Sequence, residues 1–256
     1  MAHRFDDAEL EHKVKGVYRD VAERPDGEYH FRMGRELAEQ LGYATADLDR
    51  IPSAALESFA GVGYHFDLAD LEAGDDVLDL GSGSGTDVFV AALHVGEAGT
   101  VTGLDMTDEQ LEKARRLRDE AGLSNVRFEK GKIEDLPFQD DQFDVVISNG
   151  VINLSPAKER VFEEVSRVLR TGGTFAISDI NSVSEMPESI KSDPDLWAAC
   201  VGGACPTDQY TRNLRAVGMT DVTVRDNPEY EFISEQAANV CEKYGIRSIS
   251  LRARKP

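Results

Sequence analysis

Short apolar runs alternate with stretches of helical spacing from about residue 75 to the end of the chain. The apolar runs predict strands at 76–80, 100–105, 126–129, 143–148, 174–179, 221–225 and 247–253. Helical spacing predicts helices at 86–95, 107–121, 156–169 and 207–217, the second of them capped by Thr107. Strands and helices in alternation are typical of a parallel sheet with helices on both faces. We therefore predict an α/β fold, Rossmann-like and doubly wound, with a mostly parallel sheet.

The segment before this alternation has a different pattern. Mixed charged and apolar spacing predicts amphipathic helices at about 8–22 and 30–42, with a turn at 25–27. We predict an N-terminal helical arm or cap over 1–66 and a main domain over 67–256, with a substrate-side insertion near 180–206. His65, at the junction, is predicted to be a surface or packing histidine and not a base.

A glycine-rich turn follows the first strand of the main domain. Residues 77–87 read VLDLGSGSGTD, and an apolar run follows them, so a strand, a tight turn and a helix N-terminus are predicted. Glycines permit positive φ and leave no Cβ between the backbone and a ligand. Asp79 and Asp87 flank the turn, where they would oppose an anionic pyrophosphate, and the lysine of a P-loop is missing. A zwitterionic or cationic ligand therefore suits this turn better.

A second acidic position supports a cofactor site. Asp105 ends the second predicted strand, 20 residues beyond Gly85. That spacing is typical of a carboxylate that binds ribose hydroxyls. The turn and the spaced acid together favour cofactor binding over a merely structural connection.

The composition limits the kinds of binding partner and indicates the salt concentration and the compartment in which the protein works. The formal charge is −20, from 48 acidic and 28 basic residues, so nucleic acid and anionic membrane are not expected partners. The acidic residues are scattered, which suggests a solvated coat suited to high salt, and hence a halophilic source. An apolar run long enough for a transmembrane helix and a signal-peptide pattern are both missing, and three cysteines are too few for a disulfide framework. A cytoplasmic protein is expected.

The glycine-turn motif resembles the first signature of class I S-adenosylmethionine-dependent methyltransferases. The resemblance implies that the turn holds the methionyl end of S-adenosylmethionine and that Asp105 takes the ribose. It also implies that Ile133 packs on adenine while Glu134 or its backbone meets the exocyclic amine. Asn149, at the end of the fourth predicted strand, is a candidate for a polar contact to the cofactor or the acceptor. The full predicted cofactor set is Asp79, Gly81, Ser82, Gly83, Gly85, Asp87, Asp105, Met106, Gly131, Ile133, Glu134 and Asn149.

A narrower resemblance lies in the second half of the chain. Segments 147–155, 158–162, 177–180 and 193–204 are similar to the arsenite methyltransferases, in which three thiolates hold trivalent arsenic. Cys200 matches one family cysteine, after the segment Asp-Leu-Trp. Gly150 stands where the family has another, and residues 1–60 contain no cysteine. The resemblance therefore implies the family fold and cofactor, with an incomplete arsenic site.

The predicted acceptor-side residues are Cys200, Cys205 and Asn149, with no resident metal. Cys200 and Cys205 could form a two-thiolate soft site if they lie on one loop, whereas Cys241 is expected to be a buried packing residue. We predict a small-molecule acceptor, metalloid or thiol; the sequence leaves the oligomeric state open. Three alternatives remain open: an organic oxygen, nitrogen or carbon acceptor, a cofactor-binding protein without activity, and a nicotinamide-dependent oxidoreductase.

Overall fold

The computed structural model describes residues 7–191, 196–197, 200–233 and 235–256. Its sheet contains strands β1 Asp76–Leu80, β2 Thr100–Asp105, β3 Val126–Lys130, β4 Phe143–Asn149, β5 Leu169–Asn181, β6 Thr220–Asp226 and β7 Arg247–Arg254. The strand order is β3-β2-β1-β4-β5-β7-β6. The first five strands pair in parallel, and β7 is antiparallel to both β5 and β6. The predicted α/β fold with a mostly parallel sheet is confirmed.

Helices accompany this sheet along the whole described chain. They are α1 Asp7–Glu23, α2 Arg35–Leu41, α3 Thr45–Leu48, α4 Ser53–Glu57, α5 Phe66–Ala69, α6 Thr86–Val95, α7 Asp108–Ala121, α8 Lys158–Val168, α9 Glu188–Lys191, α10 Thr207–Ala216 and α11 Glu235–Tyr244. A 3₁₀ turn spans Ile152–Leu154. None of the helices in the described part of the chain combines the length and apolarity needed to cross a bilayer.

Strand β1 shows why two cores form. Its side chains alternate between the faces of the sheet. Val77 belongs to a buried cluster that includes Phe89 of α6, whereas Leu78 and Leu80 belong to a second cluster that includes Phe162 of α8. The central strand is thus covered on both faces, as its apolar run predicts.

The topology fixes where a ligand can bind. Strand β1 pairs with β2 on one side and with β4 on the other, so the chain reverses its direction of winding at β1. Open α/β sheets bind ligands beyond the carboxyl ends of their strands at such a point. The ends of β1, β2 and β4 therefore define the site.

Several element boundaries differ from the predictions. Strand β5 begins at Leu169 instead of residue 174, because Phe143 of β4 already pairs with Leu169 before an irregularity in the register. Helix α8 begins at Lys158 instead of residue 156, because the preceding Ala157 has a φ of −120°, outside the helical range. Helix α2 begins at residue 35, directly after Gly34, whose φ is 89°.

Some helices of the structure were not predicted from the sequence, and two predictions about domain organisation are not tested by the structure. The single-turn helices α3, α4, α5 and α9 were not predicted, because one turn is too short to show a helical period. The domain division at residue 66 stays a prediction. Part of the predicted insertion, 192–195 and 198–199, lies outside the described residues.

Candidate active site

A cavity of about 320 Å³ lies beyond the carboxyl ends of β1, β2 and β4. Eleven of the predicted cofactor residues line it: Asp79, Gly81, Ser82, Gly83, Asp87, Asp105, Met106, Gly131, Ile133, Glu134 and Asn149. The twelfth, Gly85, does not line it. The residues selected from sequence are therefore brought together at one place, and their roles toward a ligand stay predictions.

The three glycines of the turn are required for different reasons. All three have positive φ, at 72° for Gly81, 52° for Gly83 and 95° for Gly85. A Cβ at Gly81 would lie 2.5 Å from Val151, and one at Gly85 would lie 2.8 Å from Phe128. A Cβ at Gly83 would meet nothing closer than 3.7 Å. Gly81 and Gly85 are thus fixed by packing, while Gly83 keeps open space on the pocket side.

Asp105 is positioned by backbone donors. Its Oδ2 accepts the N–H of Gly83 at 2.9 Å and its Oδ1 accepts the N–H of Thr107 at 2.8 Å. The Thr107 side chain also interacts with Asp105, so it does not cap α7 as predicted. Burial raises the pKa of the Asp105 carboxyl, and these hydrogen bonds oppose that rise. One carboxylate therefore holds the glycine turn and faces the cavity.

Two further carboxylates make the turn strongly acidic. Asp79 is 2% exposed, and burial, followed by the charges of Asp87 and Asp105, raises its pKa well above the ordinary value. Asp87 is fixed in the first turn of α6, where its Oδ1 accepts the Tyr43 hydroxyl at 2.6 Å. A cation bound here would relieve the repulsion among the three acids.

Asn149 has a structural role that its sequence context did not suggest. Its Oδ1 accepts the N–H of Val62 at 2.8 Å, and its Nδ2 donates to the Gly63 carbonyl and to Asp87 Oδ2, both at 3.1 Å. The amide thus holds the loop 59–64 against the end of β4. Asn149 lines the cavity, but its hydrogen-bonding groups already have protein partners.

Comparison with known proteins decides the family. The family described as "Methyltransferase domain" matches residues 71–218, more than half of the chain. The chain belongs to this methyltransferase family. Its sequence is arsenite methyltransferase-like within the class I S-adenosylmethionine-dependent methyltransferases, so the predicted resemblance and the predicted cofactor are confirmed.

Three similar proteins show the range of this methyltransferase family. An arsenite methyltransferase of Halobacterium salinarum is 40% identical over 220 residues, covering 86% of this chain and 56% of the relative. A sarcosine/dimethylglycine N-methyltransferase of Halorhodospira halochloris is 31% identical, covering 59% and 53%. The crystal structure of an arsenic(III) S-adenosylmethionine methyltransferase from Chlamydomonas reinhardtii is 38% identical, with a TM-score of 0.70, covering 82% of this chain and 72% of that one. The chain spans about half the length of the curated relatives it matches.

The methyltransferase pocket has a cover whose part from helix α1 sequence reasoning missed. Leu10, Val14 and Tyr18 of α1 line it, together with Phe59 and Gly61 of the loop 59–64. The spacing of 10, 14 and 18 predicts one face of a helix. That pattern shows that the face is buried, but not what it is buried against.

The segment expected to lie over adenine is partly occupied by protein contacts. Glu134 accepts a hydrogen bond from the Ser155 hydroxyl through Oε1, and its carbonyl accepts Arg160 Nε at 3.2 Å. Ile133 is half-buried and packs on the cluster that contains Leu136. The carboxylate of Glu134 is thus turned toward Ser155, beside the cavity.

The two acceptor-side cysteines belong to different buried clusters in the methyltransferase. Cys200 lies in a buried cluster with Val62 and Ile180, whereas Cys205 lies in the cluster that contains Leu78 of β1. Neither lines the cavity. Burial raises the pKa of Cys200 to about 12 and that of Cys205 to about 11, so both are thiols at neutral pH. The predicted two-thiolate clamp gains no support from this arrangement, because a shared metalloid would need adjacent thiolates.

Cys200 nevertheless lies directly behind the pocket wall. Its Sγ is 3.9 Å from the carbonyl oxygen of Gly150, and it interacts with the hydroxyl of Tyr18, which lines the cavity. A Cβ at Gly150 would lie 3.2 Å from Val62, a member of the Cys200 cluster. Position 150 and Cys200 therefore face the same small region.

Two further residues singled out from sequence have packing positions. Cys241 is buried in the Cys200 cluster, as expected for a small apolar side chain. His65 is fully buried and stacks on Phe66. Neither residue lines the cavity.

Proposed function

We propose that the protein transfers a methyl group from S-adenosylmethionine to a small-molecule acceptor in this cavity. Asp105 takes the ribose hydroxyls, Asp79 and Asp87 face the ammonium and sulfonium of the methionyl end, and residues 131–134 lie against adenine. The observation that carries the proposal is the group of three carboxylates around a glycine turn whose middle residue, Gly83, leaves open space.

The residues present fit this cofactor. S-adenosylmethionine carries an ammonium, a sulfonium and one carboxylate, so it is a net cation, and the turn brings three carboxylates together: burial, and then the charges of Asp87 and Asp105, raise the pKa of Asp79. A nicotinamide dinucleotide would instead bring a pyrophosphate to the same acids. The family assignment agrees with the first cofactor and not with the second.

The chain's own contribution to such a reaction is placement. The cofactor supplies a methyl group on a sulfonium, so that the acceptor's lone pair bonds to the methyl carbon while the C–S electron pair returns to sulfur. The pocket walls hold the two molecules in line and exclude water, and such positioning alone contributes large rate factors. The cover from α1, including Val14 and Tyr18, provides the apolar part of these walls.

A soft acceptor, trivalent arsenic or a thiol, is the first candidate. Cys200 lies just behind Tyr18, at the wall nearest position 150, and the sequence is 40% identical to an arsenite methyltransferase. Since Gly150 supplies no thiol, thiols from solution would complete the coordination of a metalloid. The test is turnover of S-adenosylmethionine to S-adenosylhomocysteine with arsenite and glutathione, with methylated arsenic measured as product. Turnover only on organic acceptors would reject this candidate.

A nitrogen acceptor is the second candidate, favoured by the separation of Cys200 from Cys205. Among the described residues that line the pocket, Lys132 is the sole cation, and it pairs with Glu11 at 2.6 Å. An acceptor carboxylate would therefore lack a free partner. A neutral or cationic amine suits the pocket better than an amino acid, so methylation of simple amines but not of sarcosine is the expected pattern if this candidate holds.

We further infer that the protein works at high salt. Its charge of −20 destabilises the folded state through self-repulsion, and the screening length falls to about 3 Å at 1 M salt. The similar arsenite methyltransferase of Halobacterium salinarum supports this inference. Thermal unfolding in low and molar salt tests it: full stability at low salt would reject it.

A further inference from the structure

Helix α1 is anchored firmly at its C-terminal end. The last carbonyls of a helix have no partner inside it. Ser58 Oγ donates to the carbonyl of Val21 at 3.0 Å, and Lys113 Nζ reaches both the carbonyl of Ala22, at 3.3 Å, and Ser58 Oγ, at 2.8 Å. Val21 is fully buried. These contacts tie the last turn of α1 to α7 and to the residue that follows α4.

The N-terminal half of α1 is held more weakly. Leu10 and Val14 form a small buried cluster with Trp197. Glu11 pairs with Lys132 at 2.6 Å, but the two side chains are 29% and 55% exposed. Exposed pairs contribute little to stability. If α1 opens, this half, which covers the cavity, would therefore lift while the C-terminal end acts as a hinge.

One buried side chain joins the glycine turn to α1. Gln110 of α7 is 2% exposed. Its Oε1 accepts the hydroxyl of Ser84 at 2.5 Å, and its Nε2 donates to the carbonyl of Tyr18 at 2.7 Å. A buried amide that lost one of these partners would be left unsatisfied, which is costly away from water. We therefore expect the two bonds to form and break together.

We propose that Gln110 is a positioning residue that couples the glycine turn to α1, so that a ligand seated on the turn holds the helix closed over the pocket. The inference rests on the proposed function for the identity of that ligand, S-adenosylmethionine. Ser84 follows Gly83, the turn residue with open space toward the cavity. A ligand that fixes this turn fixes the Ser84 hydroxyl, the Gln110 amide and then the carbonyl of Tyr18.

The coupling is reciprocal. If the ligand favours the closed position of α1, the closed position must favour the ligand by the same factor. Since affinity differences at one binding site arise mostly in the dissociation rate, closure should act mainly on the rate of ligand release. An opening step before release also explains how a cofactor could leave a pocket that Leu10, Val14 and Tyr18 cover.

The test replaces Gln110 with methionine, which has similar length and no amide. The release rate of S-adenosylmethionine is measured by stopped-flow displacement, and hydrogen exchange of the α1 amides is measured with and without the ligand. Gln110→Met should release the ligand roughly tenfold faster, as expected for loss of the bridging bonds. It should also lose most of the ligand-dependent protection of residues 10–18.

Lys113→Met is the matched control on the same helix. It loosens the hinge end of α1 without touching the glycine turn, so exchange should be faster both with and without ligand while the ligand-dependent difference remains. Ser84→Ala removes the hydrogen bond between Ser84 and Gln110 while keeping Gln110 itself. It tests the same coupling if Gln110→Met does not fold. The double variant, Ser84→Ala with Gln110→Met, should release the ligand no faster than the faster single variant.

Two results would overturn the inference, and they are distinguishable. Wild-type release rates and wild-type protection in both Gln110→Met and Ser84→Ala would show that the bridge couples nothing, while cofactor binding itself stands. Failure of the wild-type protein to bind S-adenosylmethionine would remove the proposed function, and the coupling with it.

Discussion

The two sides of the pocket differ in how far apart along the sequence their contacting residues lie. On the cofactor side, Asp105 bonds Thr107 two residues away and Gly83 22 residues away. At the end of β4, by contrast, Asn149, which is also a predicted acceptor-side residue, bonds Val62 across 87 residues. The predicted cofactor side is built from one strand-helix-strand unit, β1 to β2, whereas the contacts of Asn149 depend on the tertiary fold. Local motifs are therefore a good guide to the first and a poor one to the second.

The largest expected effect comes from breaking the local side at Gly83. Gly83→Val should reduce S-adenosylmethionine affinity by on the order of 1,000-fold, because the branched side chain occupies the open space and L residues are strained at a φ of 52°. Isothermal titration calorimetry measures the affinity. Gly74→Val is the matched control: its φ is 99°, and its Cβ meets nothing within 4 Å. Equal loss of affinity in both variants would show a general folding effect.

The second effect concerns the ribose acid. Asp105→Ala should weaken S-adenosylmethionine binding by roughly 2–3 kcal/mol, on the order of two charge-assisted hydrogen bonds. Asp108→Ala is the control, since Asp108 is an exposed neighbour that pairs with Lys130. Calorimetry on both variants separates the site from the surface. Unchanged affinity in Asp105→Ala, or a wild-type preference for NAD, would contradict the assigned role.

The sequence was informative where a residue's role depends on its neighbours along the chain. The strand before the turn, the helix after it and the spaced acid all follow from periodicity and spacing, and the structure brings those residues to one cavity. Even there, packing reasons stayed hidden: Gly85 is needed because of Phe128, which reaches the turn only through the pairing of β2 with β3.

Elsewhere the same reasoning predicted elements without their partners. The amphipathic pattern of α1 is visible in the sequence, but its docking over the cavity depends on contacts far along the chain. Gln110 bonds Tyr18 across 92 residues, and Lys113 bonds Ala22 across 91. Periodicity within a helix carries no information about which distant element it meets.

The two cysteines show the same limit at short range. Cys200 and Cys205 are five positions apart, yet they pack into different clusters. The first cluster includes Ile180 and the second includes Ile177, and these two residues of β5 are three positions apart, so they point to opposite faces of the sheet. A small distance along the chain therefore did not place the two side chains in one cluster.

The third prediction tests whether position 150 and Cys200 lie at one acceptor site. Gly150→Cys should bind arsenite roughly tenfold more tightly than the wild-type protein, because a second soft ligand would then lie beside Cys200. Gly150→Ser is the control: it carries the same backbone strain at a φ of 74° and the same approach to Val62, without a thiol. Arsenite binding is measured by competition with a fluorescent dithiol ligand. Equal affinities in the cysteine and serine variants would show that position 150 and Cys200 do not share a site.

The smallest expected effect concerns the acid sensitivity that the buried His65 gives to the folded protein. His65 is fully buried, neither ring nitrogen has a hydrogen-bond partner among the described residues, and burial lowers its pKa despite the nearby carboxylates of Asp87 and Asp67. A folded-state pKa below the unfolded value of 6.5 means that the unfolded chain takes up the proton first. The stability that neutral His65 allows is therefore complete above pH 6.5 and is lost as the pH falls below it.

His65→Leu should remove this part of the acid sensitivity. Between pH 6.5 and the lower pKa of the folded state, the wild-type protein should lose up to about 1.4 kcal/mol of unfolding free energy per pH unit relative to the variant. Urea unfolding at a series of pH values in molar salt measures the difference, and the salt limits the contribution of the many surface carboxylates. His30→Leu, at an exposed position, is the control for loss of a histidine. Parallel pH profiles for the wild-type protein and His65→Leu would show that the buried ring is not the source of this acid sensitivity.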